Sequence, residues 1–185
     1  MESENIKAYI GLGSNEGYRA GNILLAVRGL LEAGFHVVRL SALYETEPVE
    51  VNNHKPYLNM VAEVEVKNIT PAQMIARMVR IEYLLGRRHK FMQAPRTIDL
   101  DLLFYGDTQI DTEFLKVPHS RAHERKFVLL PMAELDADFV HPVEKQTIHE
   151  ILSNLEDDSK VERWNPDPRN NADRAARRTR ASTTN

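Results

Sequence analysis

The chain of 185 residues contains no cysteine, which excludes disulfide bonds and thiolate metal sites. Its net charge is only −3, from 24 basic and 27 acidic residues, so no overall charge attracts nucleic acid or an anionic membrane. Long apolar runs are also absent, and the opening segment MESENIKAYIGLG lacks the basic and apolar regions of a secretory leader. These absences predict a cytoplasmic protein that binds neither membrane nor nucleic acid.

The length and composition favour a single folded domain, with 42% hydrophobic and 28% charged residues. From about residue 165 the apolar content almost disappears, although five arginines follow. Such arginines can contact nucleic acid, but this composition is more typical of a solvated tail. We therefore interpret residues 1–164 as one domain and residues 165–185 as a weakly anchored basic tail.

The hydrophobic pattern changes between a strand period and a helix period along the chain. Strand-like alternation covers residues 6–12, 35–48, 58–67 and 98–105, and helical spacing covers residues 23–34, 70–86, 124–135 and 147–153. The clearest helix start is Thr70-Pro71-Ala72-Gln73, a capping box with proline at the first helical position. The order β-α-β-β-α-β predicts a ferredoxin-like α+β sandwich, with an antiparallel sheet, two helices on one side and further helices at the C-terminal end.

The stretch PRTIDLDLLFYG, residues 95–106, places two aspartates two positions apart in an apolar strand. Asp99 and Asp101 then share one face of the strand, and Ile98, Leu100, Leu102 and Phe104 share the other. An edge strand with its acidic face in solvent is the simplest interpretation. However, like charges on one face repel each other, and a bound dication would remove that repulsion.

A basic stretch precedes this strand, with six Lys or Arg and one acid, Glu82, between Arg77 and Arg96. Arg77 and Arg80 fit a solvated helix face, but the run Arg87-Arg88-His89-Lys90 leads directly toward the aspartates. Mg²⁺ takes one or two protein carboxylates plus phosphate oxygens, and arginine binds phosphate with two hydrogen bonds. The combination therefore suits a ligand that carries both phosphate and metal.

Other motifs are weaker when each is taken alone. GLGSN at residues 11–15 lacks the third glycine and the parallel strands of a dinucleotide fold, so its glycines indicate a close approach of the backbone to a ligand or a neighbouring loop. His119 is more often structural than catalytic. Tyr57, Asn59 and Phe127 would together suit a flat heteroaromatic ligand, with rings for stacking and an amide for its polar edge.

Taken in order, the motifs resemble a known enzyme family. YIGLGSN, YETEP, YLN, RIE…GR, PRTIDLDLLFYG and VPH…R.F, from about residue 7 to residue 155, are similar to 6-hydroxymethyl-7,8-dihydropterin pyrophosphokinase of folate biosynthesis. The resemblance implies a ferredoxin-like fold and transfer of a diphosphate from ATP to the hydroxymethyl oxygen of the pterin, with release of AMP. It implies small-molecule substrates, and we expect a monomer.

Matching positions carry the family's residue roles onto this chain as expectations. Asp99 and Asp101 would hold two Mg²⁺ ions, and these two aspartates, Arg87 and Arg96 would be the catalytic residues. The ATP side would comprise Glu82, Arg87, Arg96, His119 and Arg125, and the pterin side would comprise Thr46, Pro48, Val49, Tyr57, Asn59 and Phe127.

The sequence departs from the family pattern just before the aspartate strand. Relatives carry a basic residue, tryptophan and Gly-Pro-Arg, whereas this chain has Met92-Gln93-Ala94-Pro95-Arg96, in a loop that is one residue shorter. Ser120 also stands where tyrosine or proline is frequent.

Two alternative functions stay open: a catalytically weak paralogue that still binds pterin or ATP, and a ferredoxin-like nucleic-acid binder with aromatic rings on its middle strands. A sugar transferase with a D-x-D motif is disfavoured because the chain is short for its usual domain.

Overall fold

The structure is a computed structural model that describes residues 5–46, 55–87 and 96–166. Its strands are β1 (Ile6–Ser14), β2 (His36–Leu40), β3 (Tyr44–Thr46), β4 (Tyr57–Val66), β5 (Asp99–Tyr105), β6 (Ile110–Asp111), β7 (Lys116–Val117) and β8 (Val161–Arg163). Its helices are α1 (Arg19–Glu32), α2 (Pro71–Leu84), α3 (Lys126–Asp136) and α4 (Ile148–Ser153), with a 3-10 turn at Ala122–Glu124. No helix in these ranges combines the length and apolar character needed to cross a membrane.

The main sheet has the strand order β5-β1-β4-β3-β8, and β2 also pairs with β4. All of its pairs are antiparallel, and α1 and α2 pack on one face. This arrangement confirms the ferredoxin-like prediction. The predicted strand over residues 35–48 is instead two strands, because Ser41 bonds Val61 through both its amide and its hydroxyl and takes the chain out of the regular ladder.

The first core lies between the sheet and helices α1 and α2. Helix α2 begins as predicted, since Thr70 accepts a hydrogen bond from the Gln73 amide and the Gln73 side chain accepts one from the Thr70 amide. Gly29 of α1 meets Ile81 of α2, where an added Cβ would lie only 2.8 Å from a methyl carbon of Ile81. The close crossing of the two helices therefore depends on a glycine at this position.

A second core covers the opposite face of the sheet beneath α3 and α4. Here the sequence prediction for Phe104 is wrong, because Phe104 packs in this second core while Leu100 and Leu102 pack in the first. Tyr9 pairs with Phe104 and the next residue of β1 pairs with Leu102, so Leu103 is an extra residue, a β-bulge. The bulge places Leu103 and Phe104 on the same side and reverses the alternation after Leu103.

Candidate active site

The candidate site lies on the face of the sheet that carries α3, where β1, β4 and β5 run side by side. Asp99 pairs with Gly13, and Gly13 pairs with Asn59 on its other side. Because paired residues of antiparallel strands point to the same face, the carboxylate and the amide flank a strand position without a side chain. Gly11 pairs in the same way with Asp101. On this face, β1 therefore exposes backbone without side chains at Gly11 and Gly13, with the two carboxylates on the β5 side and the Asn59 amide on the β4 side.

Two arginines hold Asp99. The Nη1 atom of Arg87 lies 2.7 Å from Oδ1 of Asp99, and the Nη1 atom of Arg96 lies 2.5 Å from Oδ2. All three side chains are mostly buried, so these ion pairs are less screened by solvent than surface pairs are. The structure thus brings together three of the four residues expected to be catalytic, and places the fourth, Asp101, two residues along the same strand.

The surroundings of Asp101 disfavour its ionised form, whereas two arginines stabilise that of Asp99. Burial raises the pKa of the Asp101 carboxyl, the negative charge of Asp99 raises it further, and the nearby basic side chains of His119, Arg125 and Arg96 oppose this rise. The carboxylate pair is therefore under the like-charge repulsion that the sequence pattern predicted. A cation bound between the two carboxylates would relieve it.

Glu82 is almost fully buried behind Arg87 at the end of α2. Its Oε1 atom accepts a hydrogen bond of 2.7 Å from the backbone amide of Leu100 and forms a close ion pair with Arg87. Burial raises the pKa of Glu82 to about 7, against the opposing effects of the Leu100 amide and the Arg87 guanidinium. Glu82 therefore ties α2 to β5 between the two aspartates, and it orients an arginine of the site.

Sequence reasoning missed Ser14 and Asn15, which fix the chain just before β5. The Ser14 hydroxyl donates to the Thr97 carbonyl at 2.6 Å, and the Asn15 side-chain oxygen accepts from the Arg96 amide at 2.7 Å. The Asn15 amide also donates to the Arg96 carbonyl at 3.1 Å. Serine and asparagine at the end of a buried strand often form hydrogen bonds with neighbouring backbone groups. The residue types at positions 14 and 15 were therefore the one sign of these contacts in the sequence.

His119 and Arg125 approach the carboxylates from the α3 side. The His119 amide donates to the Leu103 carbonyl at 2.9 Å, and its Nδ1 atom accepts from the Arg121 amide at 3.2 Å. Burial lowers the pKa of His119, and the charge of Asp101 opposes this change. Burial also lowers the pKa of Arg125. These groups form one electrostatic cluster with Asp101.

Asn59 and Thr46 form the opposite end of the site. Asn59 is buried, and its side-chain nitrogen donates to the Thr46 hydroxyl at 2.9 Å. Tyr57 is half-buried on the same face, and burial raises the pKa of its phenol, with Arg96 lowering it and Asp99 raising it. Tyr57 is therefore close enough to feel the charges at the carboxylate end.

Phe127 is the second residue of α3 and packs against the second core, with the Arg125 guanidinium 5.5 Å from the centre of its ring. Pro48 and Val49, which the family resemblance assigns to the pterin side, lie outside the described residues. The same is true of the divergent segment Arg88–Pro95.

The carboxylate pair fits a magnesium site completed by a substrate. Asp99 and Asp101 point to the same face, but no group of three or more His, Asp or Glu residues within residues 5–46, 55–87 and 96–166 is placed to hold a metal. A metal bound here must take its remaining ligands from phosphate or water, which is the usual coordination of Mg²⁺ with nucleotides. The donor set therefore fits Mg²⁺ bound together with a polyphosphate.

Comparison with known proteins gives one consistent family. The sequence model described as "7,8-dihydro-6-hydroxymethylpterin-pyrophosphokinase (HPPK)" matches residues 9–137. A 2-amino-4-hydroxy-6-hydroxymethyldihydropteridine pyrophosphokinase of Bacillus subtilis is 41% identical over 129 residues, covering 69% of this chain and 77% of that protein. The protein of the same name from Aquifex aeolicus is 33% identical over 143 residues, covering 77% of this chain and 88% of that protein.

Longer proteins also contain this region. The folic acid synthesis protein fol1 of Pneumocystis carinii is 37% identical over 154 residues, which are 83% of this chain but only 21% of that protein. The chain therefore spans about a fifth of the fungal relatives that it matches. Among solved structures, Plasmodium falciparum HPPK-DHPS with pteroate has a TM-score of 0.66 at 17% identity, covering 83% of this chain and 43% of that one, which supports the fold.

Proposed function

Because this chain belongs to the 7,8-dihydro-6-hydroxymethylpterin-pyrophosphokinase family, we propose that it transfers a diphosphate from ATP to 6-hydroxymethyl-7,8-dihydropterin. The products would be AMP and the pterin diphosphate. One observation carries the proposal: Asp99 and Asn59 flank the side-chain-free position of Gly13 on a single face of the sheet. That row has a carboxylate beside arginines at one end and an amide on the same strand as a tyrosine at the other.

ATP would lie at the carboxylate end, with its phosphates toward Arg87, Arg96, Arg125 and His119. Asp99 and Asp101 would hold two Mg²⁺ ions against the phosphate oxygens, and bound Mg²⁺ would neutralise phosphate charge and polarise the phosphorus. Arg87 and Arg96 both contact Asp99. Their guanidinium groups would therefore lie near a phosphate that binds the same Mg²⁺ ions as Asp99. Glu82 would contribute by holding Arg87 rather than by touching the nucleotide.

The pterin would lie at the amide end. Asn59 is fixed by its bond to Thr46, so its side-chain oxygen keeps a defined direction for the donor groups on the edge of the ring. Tyr57 and Phe127 would cover the two faces of the ring, and stacking on such rings stabilises flat ligands. Pro48 and Val49 would line this pocket as the family resemblance implies, and both lie outside the described residues.

The reaction consists of attack by the pterin hydroxymethyl oxygen on the β-phosphorus of ATP. A bond forms between that oxygen and the β-phosphorus, the bond from the β-phosphorus to the oxygen bridging the α-phosphate breaks, and AMP leaves with that oxygen. The hydroxyl proton passes to solvent or to phosphate. Positioning and charge neutralisation supply most of the acceleration in such transfers, so the residues described need only orient the substrates and balance charge.

The nucleic-acid alternative has no support at this site. It predicted stacked aromatic rings on the middle strands, whereas the central strand β1 presents Gly11 and Gly13 next to the acidic Asp99 and Asp101. Two carboxylates at this place would repel a phosphate backbone. We propose that the protein acts on small-molecule substrates and that it is a monomer.

The test is an assay with ATP, Mg²⁺ and 6-hydroxymethyl-7,8-dihydropterin in which AMP, ADP and the pterin diphosphate are separated and quantified. We expect equal amounts of AMP and pterin diphosphate, abolished by EDTA and by Asp101→Asn. ADP as the product would overturn the proposed transfer. Binding of both substrates without AMP formation would instead identify the catalytically weak paralogue.

A further inference from the structure

Arg19 carries a positive charge at a buried helix N-terminus, a position that is unfavourable for a cation. It is the first residue of α1, where a positive charge opposes the helix dipole, and only 7% of its surface is exposed. Buried arginines persist when their charge and donor groups are satisfied by specific partners. Its location therefore indicates a role in holding other parts of the chain.

The Nη1 atom of Arg19 joins two segments that flank the amide end of the site. It donates to the Pro56 carbonyl at 2.7 Å and lies 2.7 Å from Oε1 of Glu45. Glu45 is the middle residue of β3, and Pro56 immediately precedes β4. One guanidinium nitrogen thus links a strand to the start of its neighbour.

This link acts from the face of the sheet opposite the site. Glu45 pairs with the buried core residue Leu58, whereas Thr46 pairs with Tyr57 on the site face. Because successive side chains of a strand alternate between faces, fixing Glu45 from below fixes Thr46 above. Strand β3 has only three residues, with three paired positions toward β4 and three toward β8, so both of its ladders are short and specify its register weakly.

We propose that Arg19 is a positioning residue for the pterin end of the site. By holding β3 against the start of β4, it fixes the hydrogen bond between Asn59 and Thr46 and the place of Tyr57. This inference rests on the proposed function for the identity of the ligand. The carboxylate end lies on β5, which is separated from β3 by β1 and β4, so nucleotide binding should not depend on Arg19.

The test compares Arg19→Met with Arg28→Met, a matched control on the same helix whose side chain is 72% exposed and forms an ion pair with Glu32. Calorimetry would titrate 6-hydroxymethyl-7,8-dihydropterin into protein saturated with Mg²⁺ and α,β-methylene-ATP, an analogue without the scissile bond. We expect Arg19→Met to raise the Kd for pterin by about tenfold, the effect of losing about 1.4 kcal/mol. The Kd for the ATP analogue should change by less than about twofold, and Arg19→Lys should recover part of the pterin affinity because it keeps the charge.

A second measurement does not depend on the ligand. Hydrogen exchange of the free protein should show faster exchange of the β3 and early β4 amides in Arg19→Met, and unchanged exchange there in Arg28→Met. Equal losses of pterin and nucleotide affinity, or unchanged pterin affinity with unchanged exchange, would overturn the role of Arg19. If the wild-type protein binds no pterin while Arg19→Met still loosens β3, the proposed function fails and Arg19 is a structural brace only.

Discussion

Asn59 lies directly across the β1–β4 ladder from Gly13, and a Cβ atom added to Gly13 would stand 3.2 Å from the side-chain oxygen of Asn59. That separation is tight for a carbon and an oxygen, so any side chain at position 13 must displace the amide. The bare position on β1 and the direction of Asn59 are therefore one structural requirement.

Gly13→Ala should weaken pterin binding while ATP binding stays nearly unchanged. The new methyl group shifts the Asn59 amide and strains its bond to Thr46, so we expect a several-fold rise in the Kd for pterin. Gly11→Ala is the control, because its Cβ would meet only the flexible side chain of Leu103 at 3.4 Å. Calorimetric titration of both variants decides the matter, and equal pterin affinity in the two would remove the steric argument.

Replacing either aspartate should abolish turnover but should change stability in opposite directions. Asp101→Asn removes a carboxylate whose pKa is raised by burial and by Asp99, so it should raise the melting temperature measured without Mg²⁺. Asp99→Asn leaves Arg87 and Arg96 without their shared anion, so it should lower that temperature. Both variants should lose activity by about 100-fold or more, as when a strong electrostatic contact at a transition state is removed.

Calorimetric melting and the AMP assay check these two variants together. Turnover close to that of the wild type in Asp101→Asn would mean that the acidic face is only solvated surface, as the simplest interpretation of the sequence proposed.

Glu82→Ala should destabilise the fold by about 1–3 kcal/mol, the cost of leaving the buried Leu100 amide without an acceptor. Glu82→Gln keeps an oxygen for that amide and should cost less. Urea unfolding of the two variants gives the comparison. Equal losses would show that the ion pair with Arg87, rather than the bond to Leu100, is the stabilising contact.

His141 predicts a loss of stability in mild acid. Its buried Nδ1 atom accepts hydrogen bonds of 3.1 Å from the amides of Val143 and Glu144, so a proton at this atom would break both. Burial lowers the pKa of His141 to about 4 from 6.5. The unfolded chain therefore binds the proton first, and the stabilisation present above pH 6.5 is lost as the pH falls toward 4, by roughly 3 kcal/mol in total.

Urea unfolding at pH 7, 6 and 5 measures this effect as the difference between the wild-type protein and His141→Asn, whose oxygen can accept a hydrogen bond without titrating. The wild type should lose stability relative to the variant across that range. His149→Asn, at an exposed histidine of α4, is the control and should keep the wild-type slope. Parallel profiles for the wild type and His141→Asn would exclude His141 as the cause.

The sequence predicted what short-range patterns encode. The capping box at Thr70, the glycines that end α1 and α2, and the shared face of Asp99 and Asp101 follow from local chemistry and from strand or helix period. The bulge at Leu103 was not predictable, because the run from Leu102 to Tyr105 is apolar throughout and has no polar residue to mark a change of face.

Contacts between distant segments were also beyond the sequence. The bonds of Arg19 to Pro56 and of Asn15 to Arg96 join residues far apart in the chain through backbone groups, and a backbone carbonyl or amide has no residue type that a pattern can register. The interruption at Ser41 was missed for the same reason, since its hydroxyl substitutes for a backbone acceptor in the ladder.

The bulge in β5 has a consequence for how mutations accumulate around the site. Leu103 has no partner in β1, and its carbonyl instead accepts the His119 amide. The offset between His119 and Asp101 is therefore set by main-chain geometry over two residues of one strand, and not by the sizes of the side chains in the second core. Substitutions that change the size of those core side chains can therefore accumulate without changing this offset. Insertion or deletion of a single residue at the bulge would instead move His119 away from the carboxylates in one step.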